Sequence, residues 1–132
     1  MICIPIVGAS MPKALEQITS AEKIADILEL RLDLIDSPDL KVLLNVVSKP
    51  VIVTNRSKLD GGQFRGTDDE RLQALHDALA AGADYVDIEV STPRELLQPF
   101  LEGHETSKII LSYHDFSHTP EDLNPLYETM DA

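Results

Sequence analysis

Five short apolar runs recur along this chain at a spacing of about 25 residues, close to the length of one strand plus the helix that returns from it. They are Ile2–Val7, Ile27–Asp33, Val51–Arg56, Tyr85–Glu89 and Ile109–His114. Each is rich in Ile, Val or Leu, and none alternates cleanly between apolar and polar residues. Near-continuous apolar strands are what a parallel sheet covered by helices requires.

Helical patterns fill the intervals. Met11–Ile24 places Leu15, Ile18 and Ile24 near one face. Ser37-Pro38 reads as an N-cap followed by proline in the first turn, and Thr92-Pro93 and Thr119-Pro120 repeat the device. Thr67 or Asp68 can cap a helix whose stripe Leu72, Leu75, His76 and Leu79 ends at Gly82. His76 in that stripe is expected to be half-buried packing. The segment Ser57–Gly66, with Gly61-Gly62 inside it, is long for a connection between strand and helix, and such loops often carry function.

Alternation of β and α over the whole chain implies right-handed crossovers in one parallel sheet. No glycine-rich phosphate loop follows the first run, so a nucleotide-binding open sheet loses its best signature. The remaining architecture is a (β/α)8 TIM barrel, which ordinarily takes about 250 residues. With 132 residues, the expectation is an α/β fold: a single incomplete barrel domain over 1–132, with about five β/α units.

Charge narrows the partners. Eleven Lys and Arg against 23 Asp and Glu give a net charge of −12, which repels nucleic acid and anionic membrane surfaces. No apolar run approaches the ~20 residues of a membrane span, and the start of the chain lacks a signal peptide's basic region. The single cysteine, Cys3, has no internal disulfide partner and reads as a small buried residue in a cytoplasmic protein.

In a barrel, chemistry gathers where strands end. In the second run, period two puts Glu29, Arg31 and Asp33 on one face, either as a self-neutralising network or as groups for a polar, anionic small molecule. The third run ends in Arg56, a fork of donors suited to hydroxyls or a carboxylate, unless it is a surface arginine. The fourth carries Asp87 and Glu89 on one face, and the fifth ends in Ser112, Tyr113, His114 and Asp115. Glu89 and His114, on adjacent parallel tips, are expected within hydrogen-bonding reach, where a carboxylate would orient the imidazole as a general acid and base. A metal on His114 is disfavoured, because His118 follows in a loop and four-residue spacing chelates only on a helix.

Taken in order, CIPIVG at 3–8, LELRLD at 28–33, TNRS at 54–57, YVDIE at 85–89 and LSYHDF at 111–116 resemble the type I 3-dehydroquinate dehydratase family from end to end. The resemblance implies a (β/α)8 barrel that converts 3-dehydroquinate to 3-dehydroshikimate through an imine with a protein lysine, with no cofactor and no metal. His114 would take the C2 proton and later protonate the departing hydroxyl, Glu89 would orient it, and Glu29, Arg31 and Arg56 would hold the substrate.

The family's imine-forming lysine lies on a sixth strand, and no residue of this chain matches it. Lys58 sits in a loop with no evident apolar pocket, and Lys108 precedes the fifth strand at the opposite end. The expectation is weak or no dehydration by this polypeptide alone. A catalytically silent ligand-binding or regulatory domain of the same ancestry is the alternative. An unclosed sheet also has raw edges, which predicts a homo-oligomer.

Overall fold

The computed structural model describes residues 1–131. All five apolar runs are strands, with ends trimmed where the chain turns into the loops: β1 (Cys3–Ile6), β2 (Ile27–Arg31), β3 (Val51–Thr54), β4 (Tyr85–Glu89) and β5 (Ile109–Ser112). Between and after them lie α1 (Met11–Ala21), α2 (Leu40–Val46), α3 (Asp68–Ala80), α4 (Arg94–Glu102) and α5 (Asn124–Asp131). The strands are all parallel and their order in the sheet is their order in the chain. A doubly wound sheet reverses its strand order at a switch point. Sequential order without reversal is the arc of a barrel, and the fold is five β/α units of one.

Register divides the sheet into two unlike faces. Ile6, Leu30, Val53 and Val86 pair in series across it. These side chains are buried with Leu28, Ile88, Ala14, Ile18, Leu43, Leu75 and Phe100 as the core between sheet and helices. The other face carries Pro5, Glu29, Ile52 and Tyr85 at one level and Arg31, Thr54, Asp87 and Ile110 at the next. Helices cover only the first face, so the second is the concave, partly open side.

This division corrects the expectation for Cys3, which lies on the open face of edge strand β1 and is exposed. Ile24 is also exposed, at 67%, because α1 ends at Ala21 and the chain turns before reaching it. The helix starts differ too. Thr67 caps α3, one of the two residues expected to, in a reciprocal box with Glu70, and Ser10 caps α1. Asp39 caps α2 by accepting from the Val42 N–H, with Pro38 outside the helix and Ser37 at φ 46°. Thr92 does not cap α4, because its hydroxyl accepts from Arg71. α5 begins at Asn124 rather than at Thr119-Pro120, after Asp122 accepts from the Asn124 N–H.

Candidate active site

The tips of β2 to β5 bring the charged residues to one rim. At β2 the Arg31 guanidinium donates to both carboxylate oxygens of Asp33, at 2.9 and 2.8 Å. Asp33 stands in a 3₁₀ turn over Leu32–Leu34 rather than on the strand, yet its side chain is withdrawn from solvent beside Arg31. Its Oδ2 also accepts from the Gln63 N–H, tying the loop after β3 to β2. The Asp33 hydrogen bond raises the Arg31 pKa against burial, and the fields of Asp33, Glu29 and Asp87 add to it. Glu29 accepts from the Thr54 hydroxyl at 2.7 Å.

The next cluster is deeper. Arg56 is a buried residue, not a surface one, and its Nη1 faces Asp87 Oδ1 at 2.5 Å, Ser112 Oγ at 2.8 Å and Glu89 Oε1 at 3.1 Å. Burial opposes its charge, but the hydrogen bond to Asp87 and the fields of Asp87, Glu89 and Glu29 outweigh that and raise its pKa. On the far side of Glu89, Arg71 reaches in from α3 and donates to Oε2. Arg71 also donates to Thr92 Oγ1 at 2.9 Å and bridges to Asp68 at 3.3 Å. An isolated buried charge costs several kcal/mol. Here two guanidinium ions face the two carboxylates Asp87 and Glu89, so the core of the cluster is neutral.

The loop after Arg56 supplies a third carboxylate. Ser57 caps a 3₁₀ turn over Lys58–Asp60, and Asp60 is buried. Asp60 Oδ2 accepts from Ser91 Oγ at 2.5 Å and from Ser57 Oγ at 3.1 Å. Its other oxygen, Oδ1, lies 3.6 Å from His114 Nδ1. That imidazole nitrogen is buried and has no hydrogen-bond partner among the described residues. The Phe116 ring stacks on His114 with centroids 6.2 Å apart. Two glycines let the loop fold this tightly. Gly61 takes φ 82°, and a Cβ on Gly62 would come within 2.1 Å of the Arg56 carbonyl oxygen.

The geometry changes one expected pairing. Glu89 is committed to Arg71, Arg56 and the Ser57 N–H at 3.3 Å, and it makes no hydrogen bond to His114. Parallel register explains this: Glu89 pairs with Ser112, two residues short of His114, which has already left the strand. The carboxylate beside the imidazole is Asp60. A shift of well under 1 Å would make that contact a hydrogen bond, and catalytic hydrogen bonds are often long before substrate arrives. A carboxylate on Nδ1 leaves Nε2 free to accept a proton.

Glu29, Arg31, Arg56 and Glu89 share the rim, and His114 joins it through the loop. Sequence reasoning missed Arg71 and Asp60. Arg71 had a signal, since it adjoins the Leu72, Leu75 stripe and so points into the core. Asp60 had only its place beside the glycine pair. Lys58 is exposed, and Lys108 precedes β5 at the opposite end of the strand from His114. No group of three metal-ligating side chains gathers among the described residues. His76 is exposed rather than packed, and it meets His104 with ring nitrogens 3.1 Å apart. None of the described helices is long and apolar enough to cross a membrane.

Known proteins are similar to this chain in sequence and fold. The type I 3-dehydroquinase family profile matches residues 2–132. The 3-dehydroquinate dehydratase of Methanococcus maripaludis strain S2 is 37% identical over 123 residues, covering 92% of this chain and 56% of that protein. That of Methanothermobacter thermautotrophicus is 40% identical over 123 residues, covering 90% and 54%. Among solved structures, the 3-dehydroquinate dehydratase of Aquifex aeolicus superposes with a TM-score of 0.73 at 32% identity, over 98% of this chain and 63% of that one. The type I enzyme of Clostridium difficile, at 23% identity, shares the fold with a TM-score of 0.80 over 90% and 52%. The chain thus spans about half the length of the curated relatives it matches. Matched along nearly all of its residues, this chain belongs to the type I 3-dehydroquinase family.

Proposed function

We propose that these residues are the first part of a site that dehydrates 3-dehydroquinate to 3-dehydroshikimate, with His114 carrying the proton. The observation that supports it is the buried His114 Nδ1, unpartnered among the described residues, at 3.6 Å from a buried carboxylate and beside a rim of polar side chains. His114 takes the C2 proton and returns it to the departing hydroxyl, so the elements of water leave and a ring double bond forms. Asp60 orients the imidazole. Glu89 acts one step back, holding Arg56 in place, while Glu29, Arg31 and Arg56 bind the hydroxyls and ring edge of the substrate. Neither cofactor nor metal enters this scheme, and its setting is the cytoplasm.

No residue of these 132 matches the family's imine-forming lysine in this reading: Lys58 is exposed, and Lys108 precedes β5 at the opposite end of the strand from His114. Without an imine as electron sink the C2 proton is far less acidic, so this polypeptide alone dehydrates the substrate weakly or not at all. That placement also favours the alternative, a catalytically silent ligand-binding or regulatory domain of the same ancestry. Adding 3-dehydroquinate should raise the melting temperature, and borohydride trapping followed by intact mass should show no adduct. An adduct on this chain refutes the missing-lysine reading, and an unmoved melting temperature refutes substrate binding. Turnover separates the enzyme from the silent domain.

The concave face also supports self-association. Cys3, Pro5 and Tyr85 are exposed there, and β1 and β5 each have one unpaired edge. Light scattering should find a homo-oligomer, and a well-behaved monomer counts against this.

A further inference from the structure

His76 and His104 lie outside the site just described, on the helix layer. His76 is on α3, and His104 follows the C-terminal end of α4. Their facing nitrogens, Nδ1 of His76 and Nε2 of His104, are 3.1 Å apart, with ring centroids separated by 5.0 Å. We propose that this histidine pair is a surface site for a borderline divalent transition metal ion such as Zn²⁺, Ni²⁺ or Cu²⁺, with water completing its coordination.

Distance carries the argument first. Imidazole nitrogens bind such ions at about 2.0–2.1 Å, so two neighbouring ligands on one ion sit about 2.9–3.4 Å apart, depending on the coordination angle. The observed separation falls inside that range before any metal arrives. In a neutral pair one ring must place a proton between the two nitrogens. Moving that proton to the far nitrogen of the same ring frees both lone pairs with no net release of protons. A modest swing of the exposed His76 ring then lets both point at one cation.

Position is fixed from behind. The His104 ring packs against Phe100, with centroids 4.6 Å apart, and Phe100 belongs to the buried core. One ligand is therefore held by the fold and the other hangs on a regular helix, so little freedom is lost on binding. The chain's net charge of −12 adds a long-range attraction for cations. Imidazole selects these ions over magnesium or calcium, which demand oxygen ligands.

Titration of the tag-free chain with NiCl₂ and ZnCl₂, followed by calorimetry at neutral pH, tests the site. One equivalent of each should bind. His76→Asn and His104→Asn should each weaken binding by about tenfold or more, the loss expected when a two-point attachment becomes one. His118→Asn and Cys3→Ser should leave it unchanged. Histidine side-chain NMR with Zn²⁺ should shift the signals of His76 and His104 together, a readout that holds even if one variant folds poorly. Binding that survives both variants, binding lost in Cys3→Ser instead, or no saturable binding by the parent chain overturns the proposal.

Discussion

Arg71, rooted on α3, donates to Oε2 of Glu89 at the tip of β4, and both side chains are almost wholly withdrawn from solvent, at 2% and 1% exposure. The pair spans the helix layer and the rim of the site. Removing the cation alone leaves Glu89 sharing Arg56 with Asp87. Arg71→Met should therefore destabilise the fold by about 3–5 kcal/mol, the usual result of breaking a buried pair. The double variant Arg71→Met with Glu89→Leu should cost less than the two single changes added together. Urea denaturation followed by circular dichroism measures all three, and strict additivity would show that the residues do not act as a unit.

Gly61 and Gly62 differ in what they require. Gly61 needs only its left-handed backbone, since the Phe116 ring opposite its missing Cβ can swing away, so Gly61→Ala should cost about 1 kcal/mol. Gly62 lies against the backbone and Cβ of Arg56, which cannot move without displacing the guanidinium. Gly62→Ala should cost about 1–3 kcal/mol and weaken ligand binding as well. Equal effects on binding from the two variants would contradict this ordering.

Asp60 should set the tautomer of His114. With Asp60 Oδ1 3.6 Å away as an acceptor, the neutral imidazole is expected to carry its proton on Nδ1. Nitrogen-15 NMR of the ring should report that single form, and Asp60→Asn should give a mixture. Glu89→Gln, by contrast, should leave the ring's tautomer alone. A mixed population in the parent chain would remove Asp60 from its proposed role.

Acid should unsettle the α3–α4 contact. Burial, and then His76, hold the His104 imidazole below its usual 6.5, so the unfolded chain takes up that proton first as the pH falls. Stability present above about pH 6.5 is then lost progressively toward the lower folded value. Melting temperatures measured from about pH 8 to 5 should decline less steeply in His104→Gln than in the parent, and matching slopes would exclude the effect.

Much of this was legible in the residues themselves. The five strands follow from apolar runs that had to be covered on one face, and Thr67 was legible as one of two cap candidates for α3 because capping is a local exchange of hydrogen bonds. Glu29 and Arg31 could be named because strand periodicity puts them on one face, and Arg56 because it closes an apolar run. Partners were harder. Whether Glu89 meets His114 or Arg71 depends on where β5 ends and how far α3 reaches inward, and both are tertiary facts. Cys3 was misplaced for a related reason: an apolar run on an edge strand looks the same whether its second face is covered or open. Thr92 illustrates a local rule overridden, since its hydroxyl goes to Arg71 rather than to the turn beneath it.

Because each strand pairs with the one made just before it, nearly every long-range partnership joins segments that leave the ribosome in succession. No strand must wait for a distant one to be synthesised, and loop closure between neighbours costs only a short span of chain entropy each time. Synthesis can therefore deposit the sheet one unit at a time, each helix sealing the strands beneath it. The acidic rim comes together late in that sequence: Arg56 is made before Asp87 and Glu89, and Ser112 and His114 arrive last. Partners for the arginine therefore accumulate as the sheet is laid down, which defers the expensive desolvation of its charge until carboxylates are there to meet it.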